Sequence, residues 1–383
     1  MTLIEIRHDL HAHPQVRFEE TYASALVQRE LTALGIEFKA GLAKGTGVLG
    51  YLPATQDADT APTIALRADM DALPIEEETG KPYTSTHPGC MHACGHDGHT
   101  TILIGAARAL AAAPFRPNNV LFVFQPAEEG GGGGNLMVQD GCLNGSLLGK
   151  KADFMFGLHG WSTVKVGHVA TKVGSLMAST DDVRITFTGQ GGHAAAPSTT
   201  RDPIVAIAAL ITALQTVLSR NVDPFEQGVV TIGQVHGGTT HNIIPMSAWV
   251  QGTIRSMDAE VRELLCDRVR AIAEGVAATY GMEAKIELDR GYPVVVNDAD
   301  AVARFMDVAT SVLGAEFVSD EAKPTMGGED FAYYCLECPS CFYQLGLIPE
   351  GRDDYESVHT PVFDFNDDAI DIGVRVMTAL ALS

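Results

Sequence analysis

The stretch NVLFVFQPAEEG, residues 119–130, contains the pattern that decides the fold class. Its first six residues are rich in β-branched and aromatic side chains, which predicts a short buried strand, and polar residues follow as soon as this run ends. The runs at 63–67 and 154–158 have the same form, and an alanine-rich run at 100–113 predicts a helix. Strands that alternate with helices and carry polar residues at their ends indicate an α/β domain with its site at the carboxyl edge of the sheet.

The middle of the chain follows a different order of predicted elements. Two helices are predicted here, at 203–219 and 260–280. The four predicted strands cover residues 182–189, 228–235, 248–256 and 283–289. The resulting order, β-α-β-β-α-β, is typical of a ferredoxin-like unit. We therefore expect a second domain, residues 182–290, inserted into a first domain made of residues 1–181 and 291–383.

Composition narrows the classes of function. The chain has 383 residues, enough for two domains, and a formal net charge of −22. It contains no cluster of Lys and Arg, which nucleic-acid binding requires, and no apolar run of the roughly 20 residues that a membrane helix needs. The seven cysteines are odd in number and irregularly spaced, which argues against a disulfide framework. Because the N-terminal sequence also lacks the apolar core of a signal peptide, we expect a cytoplasmic protein with reduced thiols.

The segment MHACGHDGH, residues 91–99, holds three histidines, a cysteine and an aspartate. Thiolate, imidazole and carboxylate groups are the ligands of zinc and of similar divalent transition metals. Cys94 and His96 lie two positions apart, so one loop can direct both at a single ion. Helix capping or packing is sufficient to explain His92 and His99, which we leave out of the ligand set. The segment predicts a metal site.

Two adjacent carboxylates, Glu128 and Glu129, follow the predicted strand at 119–124. Consecutive residues at a strand end point to opposite sides, so one carboxylate can bind metal while the other reaches the attacking water as a general base. Two solvated acids at the entry of a loop would be the simpler interpretation if the pair stood alone. With the metal motif upstream, the pair predicts hydrolysis by a metal-activated water.

Two later histidines are candidates for further ligands. His159 follows an apolar strand, and His359 lies near the C-terminus beside acidic loops. Neither position is specific by itself, because a lone histidine of this kind is more often structural. A two-metal site needs about five or six protein ligands, more than the early motif supplies, and this gives both histidines more weight as candidates for the missing ligands.

The predicted second domain carries three candidate substrate-side residues. His193, in GGH at 191–193, could hydrogen-bond a developing oxyanion, since the glycines allow close approach of the backbone. A tight turn with an exposed histidine is the open alternative. Asn242 and Arg255 are candidates for binding a carboxylate, which the planar guanidinium group recognises well.

Two further patterns imitate sites without completing them. The glycines at 130–134 resemble a phosphate-binding loop but lack its Gly-Lys-Ser/Thr ending, and we expect them to give room to a substrate or a backbone segment. Cys335, Cys338 and Cys341 imitate a metal knuckle that has no fourth ligand. We expect these thiols to pack as small buried hydrophobic groups.

Taken together, the motifs resemble the amidohydrolase branch of the dinuclear aminoacylase/carboxypeptidase superfamily. This branch includes hippurate hydrolases, bacterial N-acyl-L-amino acid amidohydrolases and plant auxin–amino acid conjugate hydrolases. The resemblance extends over nearly the whole chain and rests on seven ordered motifs. They are HAHP (11–14), RADMDALP (67–74), MHACGHDGH (91–99), QPAEEG (125–130), GGHAAAP (191–197), GGEDFA (327–332) and HTP (359–361). It implies a catalytic α/β/α sandwich with a mixed sheet and an inserted ferredoxin-like βαββαβ domain that serves as lid and dimerisation domain.

The resemblance also implies a role for each matching residue. Cys94 would be a bridging thiolate, where more distant relatives use aspartate. The other metal ligands would be His96, Glu129, His159 and His359. Glu128 would be the general base and later the proton donor, and Asp71 would hold a ligand histidine in position. His193 would reach across a dimer interface as an oxyanion donor. The less specific substrate-side or supporting positions would be Asn242, Arg255 and Glu329.

The activity that the resemblance implies is hydrolysis of N-acyl L-amino acids, with an acetyl, benzoyl or similar aryl-acyl group, to a carboxylic acid and a free amino acid. The cofactors would be two divalent transition metal ions, zinc, manganese, nickel or cobalt. The expected assembly is a homodimer or homotetramer formed through the inserted domain. The alternatives are an N-acetyl-diaminopimelate deacetylase or a dipeptidase of the same superfamily, and a catalytically silent metal-binding scaffold. Cys94 argues against the dipeptidase and Glu128 against the scaffold.

Overall fold

The structure is a computed structural model that describes residues 1–383, and internal contacts divide the chain into two units. The first unit comprises Met1–Leu176, Val295–Lys323 and Asp330–Ser383, and the second comprises Met177–Val294 and Pro324–Glu329. The sequence predicts that the short segment Pro324–Glu329 belongs to the first domain, whereas its contacts group it with the second unit. The catalytic role of one domain and the lid and dimerisation role of the other stay predictions.

Eleven α-helices are present, of which α4 is a single irregular turn. They are α1 (Leu3–Ala12), α2 (Thr21–Ala33), α3 (His96–Ala112), α4 (Glu128–Gly131), α5 (Gly133–Asp140), α6 (Pro203–Leu214), α7 (Thr216–Asn221), α8 (Ala259–Thr279), α9 (Ala299–Leu313), α10 (Ala332–Cys335) and α11 (Asp368–Leu382). None of these helices combines the length and the apolar character that a membrane span requires.

Sixteen β-strands complete the secondary structure. They are β1 (Glu37–Leu42), β2 (Gly47–Leu52), β3 (Thr63–Asp69), β4 (Asn119–Gln125), β5 (Phe154–Lys165), β6 (Val169–Ala170), β7 (Gly174–Met177), β8 (Ser179–Thr188), β9 (Gly192–His193), β10 (Gly228–Gly237), β11 (Ile243–Ile244), β12 (Ser247–Ser256), β13 (Glu283–Arg290), β14 (Val295–Asn297), β15 (Val318–Ser319) and β16 (Ser340–Ile348).

A mixed eight-stranded sheet, β1-β2-β4-β3-β5-β16-β6-β15, organises the first unit. Its central strands β4, β3, β5 and β16 are parallel, whereas the pairs β1–β2, β2–β4 and β16–β6 are antiparallel. Leu66, Phe122 and Phe156 lie in one core with residues of α1, α2, α3, α9 and α11. Asp69, the last residue of β3, pairs with Gln125, the last residue of β4, so the polar segments after both strands begin at the same edge. The predicted α/β fold with a mixed sheet is confirmed.

The second unit contains a four-stranded sheet in the order β10-β12-β8-β13, in which all neighbours are antiparallel. Alternate residues of β8, namely Val183, Ile185 and Phe187, are buried in a core that also takes in Leu210 of α6 and Leu265 of α8. The chain order β8, α6, β10, β12, α8, β13 is the ferredoxin-like βαββαβ arrangement that the sequence predicts.

Three elements have limits that differ from the prediction. Helix α3 begins at His96, four residues before the predicted start, because Gly95 takes a left-handed conformation with φ of 88° and turns the chain into the helix. Strand β5 continues to Lys165 through its pairing with β16, so His159 lies within the strand. The helix predicted at 203–219 is two helices, α6 and α7, which meet at Gln215.

A buried group of charges attaches α1 to the first turn of α3. Nε of Arg7 lies 3.1 Å from Oδ2 of Asp97, and Nδ1 of His11 lies 2.7 Å from the same oxygen. Nε2 of His11 is 3.2 Å from Oε1 of Glu77. Burial alone would lower the pKa of His11, but the hydrogen bonds to Asp97 and Glu77 outweigh it and raise this pKa to about 9. His11 is therefore a cation at neutral pH, buried between two carboxylates.

We expect the contribution of His11 to the free energy of unfolding to fall as the pH rises from 6.5, its ordinary pKa, to about 9. A group whose pKa is higher in the folded state stabilises the fold fully below its ordinary pKa and loses that contribution above its folded pKa. The shift corresponds to about 3 kcal/mol. Urea unfolding of the parent chain and of His11→Gln, below and above this window, measures it. The stability gap between the two chains shrinks at the higher pH, and a gap that does not change would contradict the assignment.

Candidate metal centre

The loop before α3 and the first turn of that helix place the predicted ligands of the early motif. Cys94 is buried, with 6% of its surface exposed, and precedes the left-handed Gly95. His96 and His99 lie one turn apart on α3, so both imidazoles leave the helix on the same side, with ring centroids 5.5 Å apart. Both histidines are fully buried, and His92 has only 2% of its surface exposed.

The carboxylate of Asp71 makes hydrogen bonds to three residues at this edge of the sheet. Its Oδ1 lies 3.1 Å from Nδ1 of His96 and accepts the backbone N–H of Glu128 at 3.1 Å. Its Oδ2 accepts the backbone N–H of Glu129 at 2.9 Å. Because Nδ1 of His96 is taken by Asp71, the opposite nitrogen, Nε2, is the one left to bind a metal ion. It is buried without a hydrogen bond and lies 3.7 Å from Oδ2 of Asp69.

A tight turn after β4 directs the two glutamates. Ala127 takes a left-handed φ of 54°, and Glu128 follows it as a buried residue. The glycines behind this turn are required by close backbone contact, since a Cβ on Gly133 would lie 1.6 Å from the carbonyl oxygen of Pro126. The run 130–134 therefore gives room to the backbone itself, one of the two uses expected from the sequence.

His159 and His359 reach the centre from different parts of the first unit. Nε2 of His159 lies 3.3 Å from Sγ of Cys94, and its Nδ1 is 2.8 Å from the carbonyl oxygen of Gly160. His359 takes a left-handed φ of 63° and donates its backbone N–H to the carbonyl of Ala93 at 2.7 Å. Its Nε2 lies 3.3 Å from Sγ of Cys94 and 3.0 Å from Oε1 of Glu129. Cys94 is thus the common neighbour of both histidines.

The five predicted ligands form two groups of three that share Cys94. One group consists of Cys94, His96 and His159, and we call it the His159 trio. The other consists of Cys94, Glu129 and His359, and we call it the His359 trio. In each trio the potential donor atoms all lie within 4.8 Å of one another. Thiolate, imidazole and carboxylate donors at this spacing, with an unpartnered buried imidazole nitrogen among them, fit divalent transition metal ions.

The electrostatics of the centre keep its groups in different protonation states. Burial lowers the pKa of His159 to about 3, so its imidazole is neutral and ready to bind a metal. Hydrogen bonds to Cys94 and Glu129 raise the pKa of His359 to about 10. Burial raises the pKa of the Cys94 thiol above its ordinary value, although the nearby charge of His96 opposes this. A metal ion here must therefore displace a proton from the thiol.

A buried charged group beside the centre was not predicted from the sequence. Nη1 of Arg67 contacts Oδ2 of Asp69 at 2.7 Å, and its Nη2 contacts Oδ1 of Asp330 at 3.0 Å. Burial would raise the pKa of Asp69, but Arg67, His96 and His99 hold it well below its ordinary value. A signal was present in the sequence, because Arg67 and Asp69 are charged residues in a strand that otherwise reads as buried.

In the second unit, His193 and Asn242 are neighbours. His193 belongs to β9 and pairs with Ile243 of β11, and the carbonyl of Asn242 accepts the backbone N–H of Ala194 at 3.0 Å. Both side chains are exposed, and Nδ1 of His193 accepts the backbone N–H of Ala195 at 3.0 Å. An exposed imidazole and amide at one place suit a site for a polar ligand.

Arg255 lies elsewhere in the same unit. It is eight residues along β12 from Ser247, which pairs with the end of β8 near His193, so roughly 26 Å separates it from that region. Its Nη1 is instead 3.5 Å from the place that a Cβ on Gly328 would take, next to the buried Glu329. Within this unit the structure brings His193 together with Asn242 and does not bring Arg255 to them.

Two of the three cysteines near the C-terminus have the character of packed thiols, whereas Cys335 is only half-buried. Cys338 and Cys341 are buried, and all seven cysteines of the chain are free. Burial raises the pKa of Cys338 to about 11 and that of Cys341 to about 12, which disfavours the thiolate form that metals bind.

Comparison with known proteins relates the chain to a peptidase family and to deacetylases of N-acetyl amino acids. The model of Peptidase family M20/M25/M40 matches residues 65–383. An N-acetyldiaminopimelate deacetylase of Streptococcus pneumoniae is 40% identical over 383 residues, 99% of this chain and 98% of that protein. An N-acetyl-L-cysteine deacetylase of Bacillus subtilis is 38% identical over 369 residues, 96% of this chain and 84% of that protein. A solved Bacillus subtilis structure, a dinuclear metal binding peptidase from M20 family, has a TM-score of 0.85 at 34% identity and covers 99% of this chain and 96% of its own.

These matches confirm the resemblance that the motifs indicate. They extend over nearly the whole chain, and the family match alone includes the predicted ligands from Cys94 to His359. The chain belongs to Peptidase family M20/M25/M40.

Proposed function

We propose that this protein is a metal-dependent amidohydrolase that cleaves N-acyl L-amino acids to a carboxylic acid and a free amino acid. The observation that carries the proposal is the pair of donor trios that share Cys94, with the buried carboxylate of Glu128 beside them. The names of two relatives, both deacetylases of N-acetyl amino acids, support the same reaction class and favour the acetyl group.

The two metal ions would be held by the His159 trio and the His359 trio. When bound, such ions acidify a water molecule and polarise a carbonyl group. Glu128 accepts a proton from the attacking water and returns it to the nitrogen of the leaving amino acid. Asp71 positions this carboxylate, since it accepts the backbone N–H groups of both Glu128 and Glu129 while it holds Nδ1 of His96.

The proposal is tested with a panel of N-acetyl, N-benzoyl and indole-acetyl amino acids, including N-acetyl-diaminopimelate, and with dipeptides as the alternative class. The metal-free enzyme is reloaded separately with Zn²⁺, Mn²⁺, Ni²⁺ or Co²⁺, and release of free amino acid is measured. Metal-dependent turnover of an N-acyl amino acid supports the proposal. Turnover of dipeptides alone would favour the dipeptidase, and no turnover with any metal, despite full occupancy, would favour a silent scaffold.

We also propose that the second unit joins two copies of the chain. Helix α6 exposes the apolar residues Ile204 and Val205, with 45% and 50% of their surfaces accessible. Strand β10 is an edge strand, so its backbone is open to pairing, and its Val235 is 55% exposed. Ile204 lies next to the end of this strand, 3.4 Å from the place that a Cβ on Gly237 would take. An apolar helix beside an open strand edge suits an interface with a second copy.

In such a dimer His193 would act on the site of the partner as an oxyanion donor. Loss of one donor of this kind typically lowers kcat by about 10²–10³-fold. Light scattering measures the assembly, and mixing two inactive variants, His193→Ala and Glu128→Gln, tests the exchange. If His193 acts across the interface, mixed dimers recover activity. Activity that stays absent in a verified mixed dimer would contradict it.

The free thiols of all seven cysteines support a cytoplasmic location, which we include in the proposal.

A further inference from the structure

We infer that His99 positions the proposed metal ligand His159 through the backbone of Gly160, and that it thereby sets the affinity of one of the two metal positions. The inference rests on the proposed function, because it concerns how the chain holds a metal ion. His99 is neither a proposed ligand nor a group that touches the substrate. It acts on His159, and its role is that of a positioning residue.

A continuous series of short contacts carries this inference. Oδ1 of Asp69 lies 2.7 Å from Nδ1 of His99, and Nε2 of His99 accepts the backbone N–H of Gly160 at 2.8 Å. The carbonyl oxygen of Gly160 lies 2.8 Å from Nδ1 of His159. On the other side of that ring, Nε2 of His159 faces Sγ of Cys94 at 3.3 Å. Each contact orients the next group, so the direction of the ligand nitrogen depends on His99.

Both nitrogens of His99 are used in this arrangement. Nε2 must offer a lone pair to the N–H of Gly160, so the ring proton sits on Nδ1 and is donated to Asp69. Donor atoms of Asp69, His96 and His99 are close enough together to hold an ion. An ion bound to Nε2 of His99 would, however, leave the buried N–H of Gly160 without an acceptor, which is costly in free energy. His99 is therefore better suited to support a ligand than to be one.

The carboxylate of Asp69 is itself held in place by Arg67. Its second oxygen lies 2.7 Å from Nη1 of Arg67, and Nε of Arg67 donates to Oε1 of Gln125 at 2.9 Å. Nη2 of Arg67 contacts Oδ1 of Asp330 at 3.0 Å. These four side chains have no exposed surface, so none can turn away without leaving a buried polar group unpaired. A carboxylate held in this way fixes both the tautomer and the ring plane of His99.

The support reaches only one of the two trios. His159 belongs to the trio that includes His96, whereas the other trio consists of Cys94, Glu129 and His359. His359 is held by a different contact, the hydrogen bond from its backbone N–H to Ala93. Removing the support of His99 is therefore expected to weaken one ion selectively and to leave the other in place.

The test compares His99→Leu with His99→Gln. Leucine fills a similar volume but offers no polar atom, whereas the glutamine amide has a donor group and an acceptor group, as the neutral imidazole does. The probe is Co²⁺ alone, added to the metal-free chain. Equilibrium dialysis gives the number of bound ions, and the absorption spectrum of Co²⁺ gives their coordination. We expect His99→Leu to bind one ion with parental affinity and the other about 10–100-fold more weakly, with His99→Gln close to the parent.

Trp161 provides a second readout at the affected position. Its ring centroid lies 5.8 Å from that of His159, edge to face, and the chain has only two tryptophans. In a Trp249→Phe background, which changes the second unit alone, quenching of Trp161 fluorescence by Co²⁺ follows binding beside His159. The quenching curve is expected to shift to higher Co²⁺ in His99→Leu and to return in His99→Gln.

Each outcome decides between the inference and its opposite. A parent chain that binds no Co²⁺ overturns the proposed function itself. A parent that binds two ions, with a His99→Leu variant that binds them equally well, overturns this inference alone, as does a glutamine variant that behaves like leucine. If His99→Leu does not fold, Asp69→Asn makes the same test. The side-chain oxygen of the introduced asparagine would accept from Arg67, and the asparagine NH₂ group would donate to Nδ1 of His99. The ring proton of His99 would then sit on Nε2, which could no longer accept the N–H of Gly160.

Discussion

The Glu128→Gln variant is expected to lower kcat for an N-acetyl amino acid by about 10²–10⁴-fold, the range that proton transfer by a positioned side chain contributes. Glutamine keeps the size of this buried side chain but cannot take up the proton of the attacking water. Glu128 lies outside both trios that share Cys94. Its carboxylate is within 4.8 Å of donor atoms of His96 and Glu129, but glutamine keeps a side-chain oxygen there, so the variant should keep its metal ions. Parallel measurement of kcat and of bound metal by mass spectrometry separates loss of the base from loss of the ions.

The matched control is Glu129→Gln, the same substitution one residue further on. Glu129 belongs to the His359 trio, with its Oε1 3.0 Å from Nε2 of His359, so this variant should lose metal together with turnover. Near-normal turnover of Glu128→Gln with full metal occupancy would show that the proposed base is wrong. If Glu128→Gln lost metal to the same extent as Glu129→Gln, the assignment of Glu128 as the base and Glu129 as the metal ligand would be wrong.

The fold could be predicted because its signals are local. The buried runs that became β3 and β4 are short, apolar and followed at once by polar residues, and parallel strands bring such ends to one edge. The ferredoxin-like unit was visible in the order of its elements. The ends of the helices and strands were harder to predict. The start of α3 depends on the left-handed Gly95, and the full length of β5 depends on its pairing with β16. Pairing of this kind joins residues far apart in the chain, which a local pattern does not record.

The five proposed ligands could be named from the motifs, whereas their support could not. In the sequence Asp69 appeared only within the RADMDALP motif. Its contact to Arg67 lies within β3, whereas its contact to His99 arises only when β3 packs against α3. The same limit explains Arg255, which shares a domain with His193 but lies far along β12 from it. Residue type and spacing predict which atoms can bind an ion, and only the packed chain decides which side chains hold them still.

Two of the six non-glycine residues that have a positive φ lie at this centre. Ala127 and His359 both take left-handed conformations that residues with a Cβ adopt rarely, at φ of 54° and 63°. Each directs a group of the site, because Ala127 immediately precedes Glu128 and His359 places its own Nε2 between Cys94 and Glu129. Such conformations cost of order 1–3 kcal/mol and persist where the surroundings impose them.

Cys94→Ala is expected to weaken both metal ions by more than about 100-fold and to abolish turnover. The thiol is the only donor that the two trios share, with Nε2 of His159 and Nε2 of His359 each 3.3 Å from Sγ. Loss of a residue that merely supports a ligand already lowers metal affinity by about 10–100-fold, so loss of a shared ligand must exceed this. Isothermal titration of the metal-free protein with Zn²⁺ or Co²⁺ measures both affinities. The matched control is Cys90→Ala, which removes another free cysteine and should leave both affinities unchanged.

Cys94→Asp distinguishes a bridging role from simple packing. A carboxylate can also contact two ions, so this variant should recover metal binding that Cys94→Ala loses, while the absorption band of a Co²⁺–thiolate bond disappears.

The number of protons released on metal binding is a second, independent test of the role of Cys94. Burial raises the pKa of the Cys94 thiol, so metal binding to the parent chain should release about one proton from it at neutral pH. The aspartate variant should lack this contribution, because its carboxyl group is already ionised. Titrations in buffers of different ionisation enthalpy count these protons, and equal release from both chains would contradict a thiolate shared between the two trios.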